Sequence, residues 1–252
     1  MMISGSRGKM GACILGAWGA LRAGIGLLTL HVPAVGYSIV QTAVPEAMAT
    51  VDEHESFFSK APSLDGFDVV GIGAGLGQDK QTVAAFEKVL QAGKPMVIDA
   101  DGLNILGSNR HLLKSIPAGS IMTPHPKEFE RMTGTWKNDF ERLEMQKTLA
   151  KETKSIVLLK GAHTSIATPD GRVFFNCAGN PGMATGGSGD VLTGILTGLL
   201  AQKYSNEDAA ILGAYLHGLS GDLAAVALGM NSLIASDLVE YLPAAFKELA
   251  RE

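Results

Sequence analysis

Helix-length and strand-length patterns alternate along this 252-residue chain, glycine-rich and polar clusters recur where strand patterns end, and no linker or internal repeat divides it. These observations predict one α/β layered domain over residues 1–252, built on a mostly parallel central sheet flanked by helices. The hydrophobic share of 46% supplies a core large enough for such a domain to fold alone.

The elements follow in order. Residues 9–23 read as a helix and 27–32 as a strand. Residues 68–73, DVVGIG, form a buried strand entering the glycine loop 73–77, and an amphipathic helix follows over 79–91. Residues 96–100 and 120–122 are short strands. Asn138 opens a helix to about Lys151, and the apolar run 155–159 is a strand ending at Lys160. Residues 164–167 and 172–176 alternate about Pro169-Asp170-Gly171, which supplies hairpin chemistry. Three helices close the chain, the first over residues 191–202.

Composition excludes several function classes. A net charge of −4 without runs of like charge leaves no electrostatic footprint for nucleic acid or anionic membranes. Cys13 and Cys177 lack metal-ligand spacing and read as reduced packing residues of a cytoplasmic protein. Arg7 and Lys9 ahead of the apolar run 10–21 imitate a signal peptide, but the run is rich in glycine and ends at Arg22. Glycine is abundant, with 31 residues, well above the roughly 7% share of ordinary proteins.

The densest chemical signal is GNPGMATGGSGDVLTGILTGLLAQ, residues 179–202. Gly186, Gly187, Ser188 and Gly189 leave backbone N–H groups unobstructed at the start of an apolar helix, where the dipole favours an anion. Asp190 follows where the first turn begins, placed to accept a proton from a hydroxyl group brought up to a phosphate. A side chain at Gly187 is expected to block the loop's approach to phosphate. Gly194 and Gly198, four apart, suit close packing of this helix on a sheet. The loop fits neither the Walker spacing nor the dinucleotide fingerprint.

Further clusters fall at GAGLG (73–77), Asp99-Ala-Asp101, TPHP (123–126) and KGAHT (160–164). In an open parallel sheet all would meet in the crevice beyond the carboxyl ends of the strands, as a ligand with several phosphates requires. Each has a plainer alternative. Asp99 and Asp101 read equally as caps of a helix beginning near Leu103, His125 as a structural residue stiffened by two prolines, and Lys160 as a solvated cation.

Taken together, GSRGKMGA, GIGAGLG, VIDADGLN, TPHPKEF, LLKGAHT and GNPGMATGGSGD, in this order, closely resemble the ADP/ATP-dependent (S)-NAD(P)H-hydrate dehydratase family of the ribokinase-like superfamily. The resemblance covers nearly the whole chain and implies a three-layer ribokinase-like fold. Only residues 1–4 precede the first motif, where the family carries most of a strand, so the first strand is expected to be truncated.

The resemblance also implies metabolite repair by a lyase. Hydrated NADH or NADPH (NADHX, NADPHX) is returned to NAD(P)H through phosphorylation of the ring hydroxyl and loss of phosphate. Carried over by motif, Asp190 is the base. Hydrate binding falls to Ala12, Gly77, His125 and Asp190, and nucleotide binding to Lys160, Gly161, Ala162, His163, Thr164, Gly186, Gly187, Ser188 and Gly189. ADP or ATP is the co-substrate. Mg2+ is expected to ride on its phosphates, with no dedicated metal cage and Glu128 the carboxylate nearest such a role. The family further implies a homo-oligomer, a tetramer in size, and dependence on a separate NAD(P)H-hydrate epimerase. The rival readings are a ribokinase-like kinase of a thiazole or pyrimidine alcohol, which would use Asp190 identically, and a nucleotide-binding module without catalysis.

Overall fold

A computed structural model describes residues 1–250; the last two residues of the expected 1–252 domain lie outside the described ones. The elements in chain order are β1 (Met2–Ile3), α1 (Met10–Arg22), β2 (Thr29–Val32), α2 (Tyr37–Ala43), β3 (Met48–Val51), β4 (Val70–Ile72), α3 (Lys80–Gln91), β5 (Met96–Ile98) and α4 (Ala100–Ser108). They continue with β6 (Ile121–Met122), α5 (Pro126–Thr133), α6 (Asp139–Thr153), β7 (Ile156–Leu159), β8 (Thr164–Ala167), β9 (Val173–Asn176), α7 (Ser188–Ala201), α8 (Asn206–Leu228) and α9 (Ala235–Leu249).

The strands make one sheet in the order β3-β2-β1-β4-β5-β6-β7-β8-β9, parallel from β3 to β7, with the β8–β9 hairpin added antiparallel. Short as it is, β1 lies in the middle, pairing Met2 with Leu30 and Gly71, and Ile3 with His31 and Ile72. The chain winds outward in both directions from β1 and β4, which makes their carboxyl ends a topological switch point.

Strand side chains alternate between two cores. Val70, Ile72, Met96, Ile98 and Met122 join Phe86, Leu103, Leu106, Phe129 and Leu149 of α3 to α6 on one face. Val69, Val97, Ile121, Ile156 and Leu158 join Val191, Ile195, Leu199, Leu216 and Leu238 of α7, α8 and α9 on the other. Burial on both faces explains why these strands read as continuous apolar runs rather than alternating ones. A third cluster, from Met2, Leu30 and Val32 to Met10, Cys13, Ala17 and Val40, seats α1 and α2 against β1 and β2. By length and composition α8 could cross a membrane, but here its apolar face packs between α7, α9 and the hairpin.

Several starts and stops follow from local chemistry. Asp79 caps α3 by accepting from Gln81 N, and Asn138 caps α6 by accepting from Glu141 N. His125, Pro126 and Glu128 form a capping box at α5, a helix the sequence patterns left unassigned, with α2 and β3.

The closest packing of helix on helix joins α1 to α7. A Cβ on Gly194 would lie 2.0 Å from the Gly16 carbonyl oxygen, one on Gly19 2.5 Å from that of Val191, and one on Gly198 2.9 Å from that of Ala20. Gly194 and Gly198 therefore serve contact with α1, not with the sheet as their spacing suggested; Thr197 of α7 faces the sheet, its Oγ1 2.5 Å from a Cβ on Gly71. Gly194→Ala is expected to lower unfolding free energy by about 3 kcal/mol, since backbone rather than a flexible side chain must move. Gly11→Ala, which meets nothing within 4 Å in the first turn of α1, should raise it by about 0.5–1 kcal/mol. Denaturant melts of the two variants check this, and equal effects would contradict it.

Candidate active site

The helix α7 begins at Ser188, earlier than its apolar pattern indicates, because Gly187 in a left-handed conformation (φ 94°) turns the chain into it. Asp190 therefore sits at the third helical position rather than ahead of the helix. Among the described residues no acceptor meets the N–H groups of Gly186, Gly187, Gly189 or Asp190, which leaves four donors at the positive end of the helix dipole.

Steric need at the glycines differs from the sequence expectation. A Cβ on Gly187 would lie 2.4 Å from the Leu15 side chain and 3.0 Å from Ala235. Glycine is thus required at 187 by the α1 and α9 neighbours and by φ. Gly186 meets nothing within 4 Å, and a Cβ on Gly189 would approach Lys160 Nζ and Asp99 Oδ2 at 3.3 and 3.4 Å.

Asp99, 1% exposed, is the charged centre beneath this turn. It occupies the capping position of α4, yet its side chain makes no cap hydrogen bond. Instead Oδ1 accepts from Lys160 Nζ at 2.7 Å and Oδ2 from Thr193 Oγ1 at 2.9 Å. This overturns both plain alternatives, the capping Asp99 and the solvated Lys160. Asp101 does not cap either: it accepts from Gly77 N at 2.8 Å and lies 3.6 Å from Lys9 Nζ.

Burial pushes the Asp190 carboxyl up to about 6, Asp99 and Asp101 push the same way, and Lys160 opposes them. Near neutral pH such a carboxylate is ionised yet basic enough to take a proton.

One cavity of about 810 Å³ gathers His125, Lys160, Gly161, Ala162, His163, Thr164, Ser188 and Gly189, so most of the expected nucleotide positions share a wall with His125. Gly186, Gly187 and Asp190 lie beyond that lining. Ala12 and Gly77 also stand outside it, where the first motif and the GAGLG loop are laced together. Gly5 N donates to Ala74 O at 2.8 Å and Ser6 Oγ to Gly75 O at 2.7 Å, and a Cβ on Gly75 would lie 3.4 Å from that of Ala12.

His125 Nδ1 accepts from the N–H groups of Lys127 and Glu128, while Glu128 Oε2 accepts from His125 N at 2.8 Å and Oε1 lies 3.3 Å from His125 Nε2. The plain structural reading of His125 thus holds alongside its place on the cavity. Burial, then Lys160 and Arg131, lower the His125 pKa, and burial raises Glu128 to about 7.

Among the described residues no three His, Cys, Asp or Glu side chains converge as metal ligands. Glu128 and Asp190, with raised pKa values, are the carboxyl groups a nearby cation would draw into the ionised form.

Two further side chains were missed because α8 reads only as an apolar helix. His217 Nε2 lies 2.9 Å from Ser188 O, and Asp222 accepts from Gly179 N and Asn180 Nδ2 at 2.8 and 2.9 Å. The available signal was two glycines, a histidine and an acid on one face, in HGLSGD.

The raised Asp190 pKa carries a stability prediction. The folded pKa, about 6 against 3.8, means the ionised carboxylate costs stability above about pH 6, whereas below about pH 4 it is neutral in both states. Asp190→Asn should therefore raise the thermal midpoint at pH 8, with the gain shrinking towards pH 5. A gain independent of pH would contradict the assignment.

Comparison with known proteins places this geometry. A family profile described as NAD(P)H-hydrate dehydratase matches residues 1–244. A bifunctional NAD(P)H-hydrate repair enzyme of Moorella thermoacetica is 41% identical over all of this chain and 50% of its own length. An ADP-dependent (S)-NAD(P)H-hydrate dehydratase of Bacillus subtilis is 32% identical over 98% of this chain and 88% of its own. The crystal structure of an ADP/ATP-dependent NAD(P)H-hydrate dehydratase from Bacillus subtilis, co-crystallised with ATP and Mg2+, superposes with a TM-score of 0.84 at 30% identity, covering 98% and 88% of the two chains. The chain spans about half the length of the bifunctional relatives it matches. The ribokinase-like three-layer fold expected from the motifs is the one found. With the profile matched from its first residue to the start of its final turns, this chain belongs to the NAD(P)H-hydrate dehydratase family.

Proposed function

We propose that this chain is a nucleotide-dependent lyase that returns (S)-NADHX and (S)-NADPHX to NADH and NADPH. The observation that carries the reading is Asp190, a half-buried, basic carboxylate in the first turn of α7, where four N–H groups including its own are unengaged and the Asp99–Lys160 pair lies close by.

The ring hydroxyl oxygen attacks the terminal phosphorus of ADP or ATP, Asp190 takes the hydroxyl proton, and the bond from phosphorus to the departing nucleotide breaks. The N–H groups at Gly186, Gly187 and Gly189 face the charge that develops on the transferring group, and Lys160 adds a cation there. Phosphate then leaves with the ring C–O electrons, and the adjacent ring carbon gives up a proton, restoring the dihydronicotinamide. Mg2+, when bound, neutralises charge on the phosphates. Ala12, Gly77 and His125 would hold the hydrate, and Lys160 to Thr164 would line the nucleotide seat.

Relatives named as ADP-dependent and as ADP/ATP-dependent support either nucleotide. The bifunctional naming of the longer relatives supports a functional link to an NAD(P)H-hydrate epimerase. A cytoplasmic location, a homo-oligomer of tetramer size and a single catalytic unit over 1–252 complete the proposal.

Incubation with hydrated NADH, Mg2+ and ADP or ATP should restore reduced-nicotinamide absorbance with one phosphate released per turnover. A stable phosphorylated alcohol in place of free phosphate would favour the kinase reading. Asp190→Asn should lose about a thousandfold or more in turnover, with nucleotide affinity within about threefold of the parent. Retained turnover would remove Asp190 as the base.

A further inference from the structure

The segment 176–189 supplies one wall of the nucleotide cavity through residues 176–181, 183–185, 188 and 189, and most of it has no regular secondary structure of its own. A loop of this length at a binding site costs affinity if it must be ordered when its ligand arrives. Here it is fastened at successive points to a single face of α8.

Asn176 Nδ2 donates to Ala214 O at 3.2 Å and to Ala178 O at 3.1 Å. One turn on, Gly218 lets the strand pass, since a Cβ there would lie 2.4 Å from Ala178 O. Asp222 then takes Gly179 N and Asn180 Nδ2. Gly221 admits Met183, whose Sδ would be 2.3 Å from a Cβ at that position. At the far end His217 Nε2 reaches Ser188 O at 2.9 Å, with Ser188 Oγ at 3.3 Å. Positions 214, 217, 218, 221 and 222 repeat at helical spacing, so they form one stripe.

The His217 contact has a defined direction. A carbonyl only accepts, so Nε2 must carry hydrogen and donate to Ser188 O. Burial lowers the His217 pKa to about 4, which keeps the ring neutral at working pH. Ser188 is the first residue of α7 and adjoins Gly189 and Asp190. A donor fixed on its carbonyl therefore ties the last part of the loop to α8.

We infer that the stripe on α8 is a template that holds the nucleotide loop in its binding shape before the nucleotide arrives, with His217 and Asp222 as its positioning residues. The inference deepens the proposed function, because it takes this cavity as the seat of ADP or ATP. Neither residue takes part in the chemical step. Their loss should appear in nucleotide binding, because disorder restored to the free loop must be removed again on association.

The test compares His217→Leu, His217→Gln and Asp222→Ala with the parent, measuring nucleotide KM, hydrate KM and kcat, together with calorimetric nucleotide affinity and thermal midpoint. His217→Leu and Asp222→Ala should each raise nucleotide KM and Kd about tenfold or more while hydrate KM and kcat stay within about threefold. His217→Gln, whose amide nitrogen can reach the same carbonyl, should recover most of the loss. Unchanged nucleotide affinity in the Leu and Ala variants overturns the template, as does a Gln variant no better than Leu. Should either variant fail to fold, the remaining one with the Gln comparison decides on the same criteria. The parent separates this inference from the function on which it rests. A parent that binds nucleotide but does not turn over hydrate contradicts the function; a parent that turns over, with variants of normal affinity, contradicts only the template.

Discussion

The crossing of α1 over α7 at backbone distance is the constraint from which the site follows. With Gly16, Gly19, Gly194 and Gly198 at the contact, no side chain separates the two helices, and the Gly16 side meets the Asp190 carbonyl itself. The start of α7 is thereby held against α1, whose own first turn carries Ala12 and adjoins the GAGLG loop. One helix end thus stands between two groups of expected ligand positions. On one side lie Ala12, Gly77 and Asp101; on the other lies the cavity of Lys160 to Thr164. A phosphoryl group crossing from nucleotide to hydroxyl has to pass such a point, and packing rather than any ligand fixes where it is.

Electrostatics then follow from depth. Asp99, Asp101, Asp190, Lys160 and Glu128 cluster near the carboxyl ends of the central strands, with the half-buried Lys160 close to several acids. Lys160 is committed to Asp99, so it does not fully offset the burial of Asp190, and that carboxyl keeps a raised proton affinity. A site laid out this way gains a usable base at some cost to the stability of the fold.

Much of this was legible in the sequence. Parallel strands buried on both faces appear as apolar runs, and the clusters after them had to meet beyond the sheet's carboxyl edge. GGSGD announced a helix start with free donors because only small residues leave them open. What stayed hidden depended on partners distant in sequence. Asp99 looks like a cap until Lys160, from another strand, and Thr193, from α7, are brought to it. The steric demand for glycine at 187 likewise appears only once Leu15 and Ala235 are seen against it. His217 and Asp222 sit in a helix whose pattern is otherwise apolar, so their role appears only with the loop folded over them. Two residues of β1 are too few to signal a strand, yet their place between β2 and β4 buries them on both sides.

The central claim is that Asp190, half-buried near Asp99, is the ionised base, and the pH dependence of kcat/KM for recovery of reduced nicotinamide tests it most directly. The account expects activity to fall on acidification with an apparent pKa near the value of about 6 set by burial and Asp99. In Asp99→Asn, whatever its absolute rate, that limb should move to lower pH because one raising charge is gone. A rate flat from about pH 5 to 8, or an acid limb unmoved by the substitution, would contradict the account.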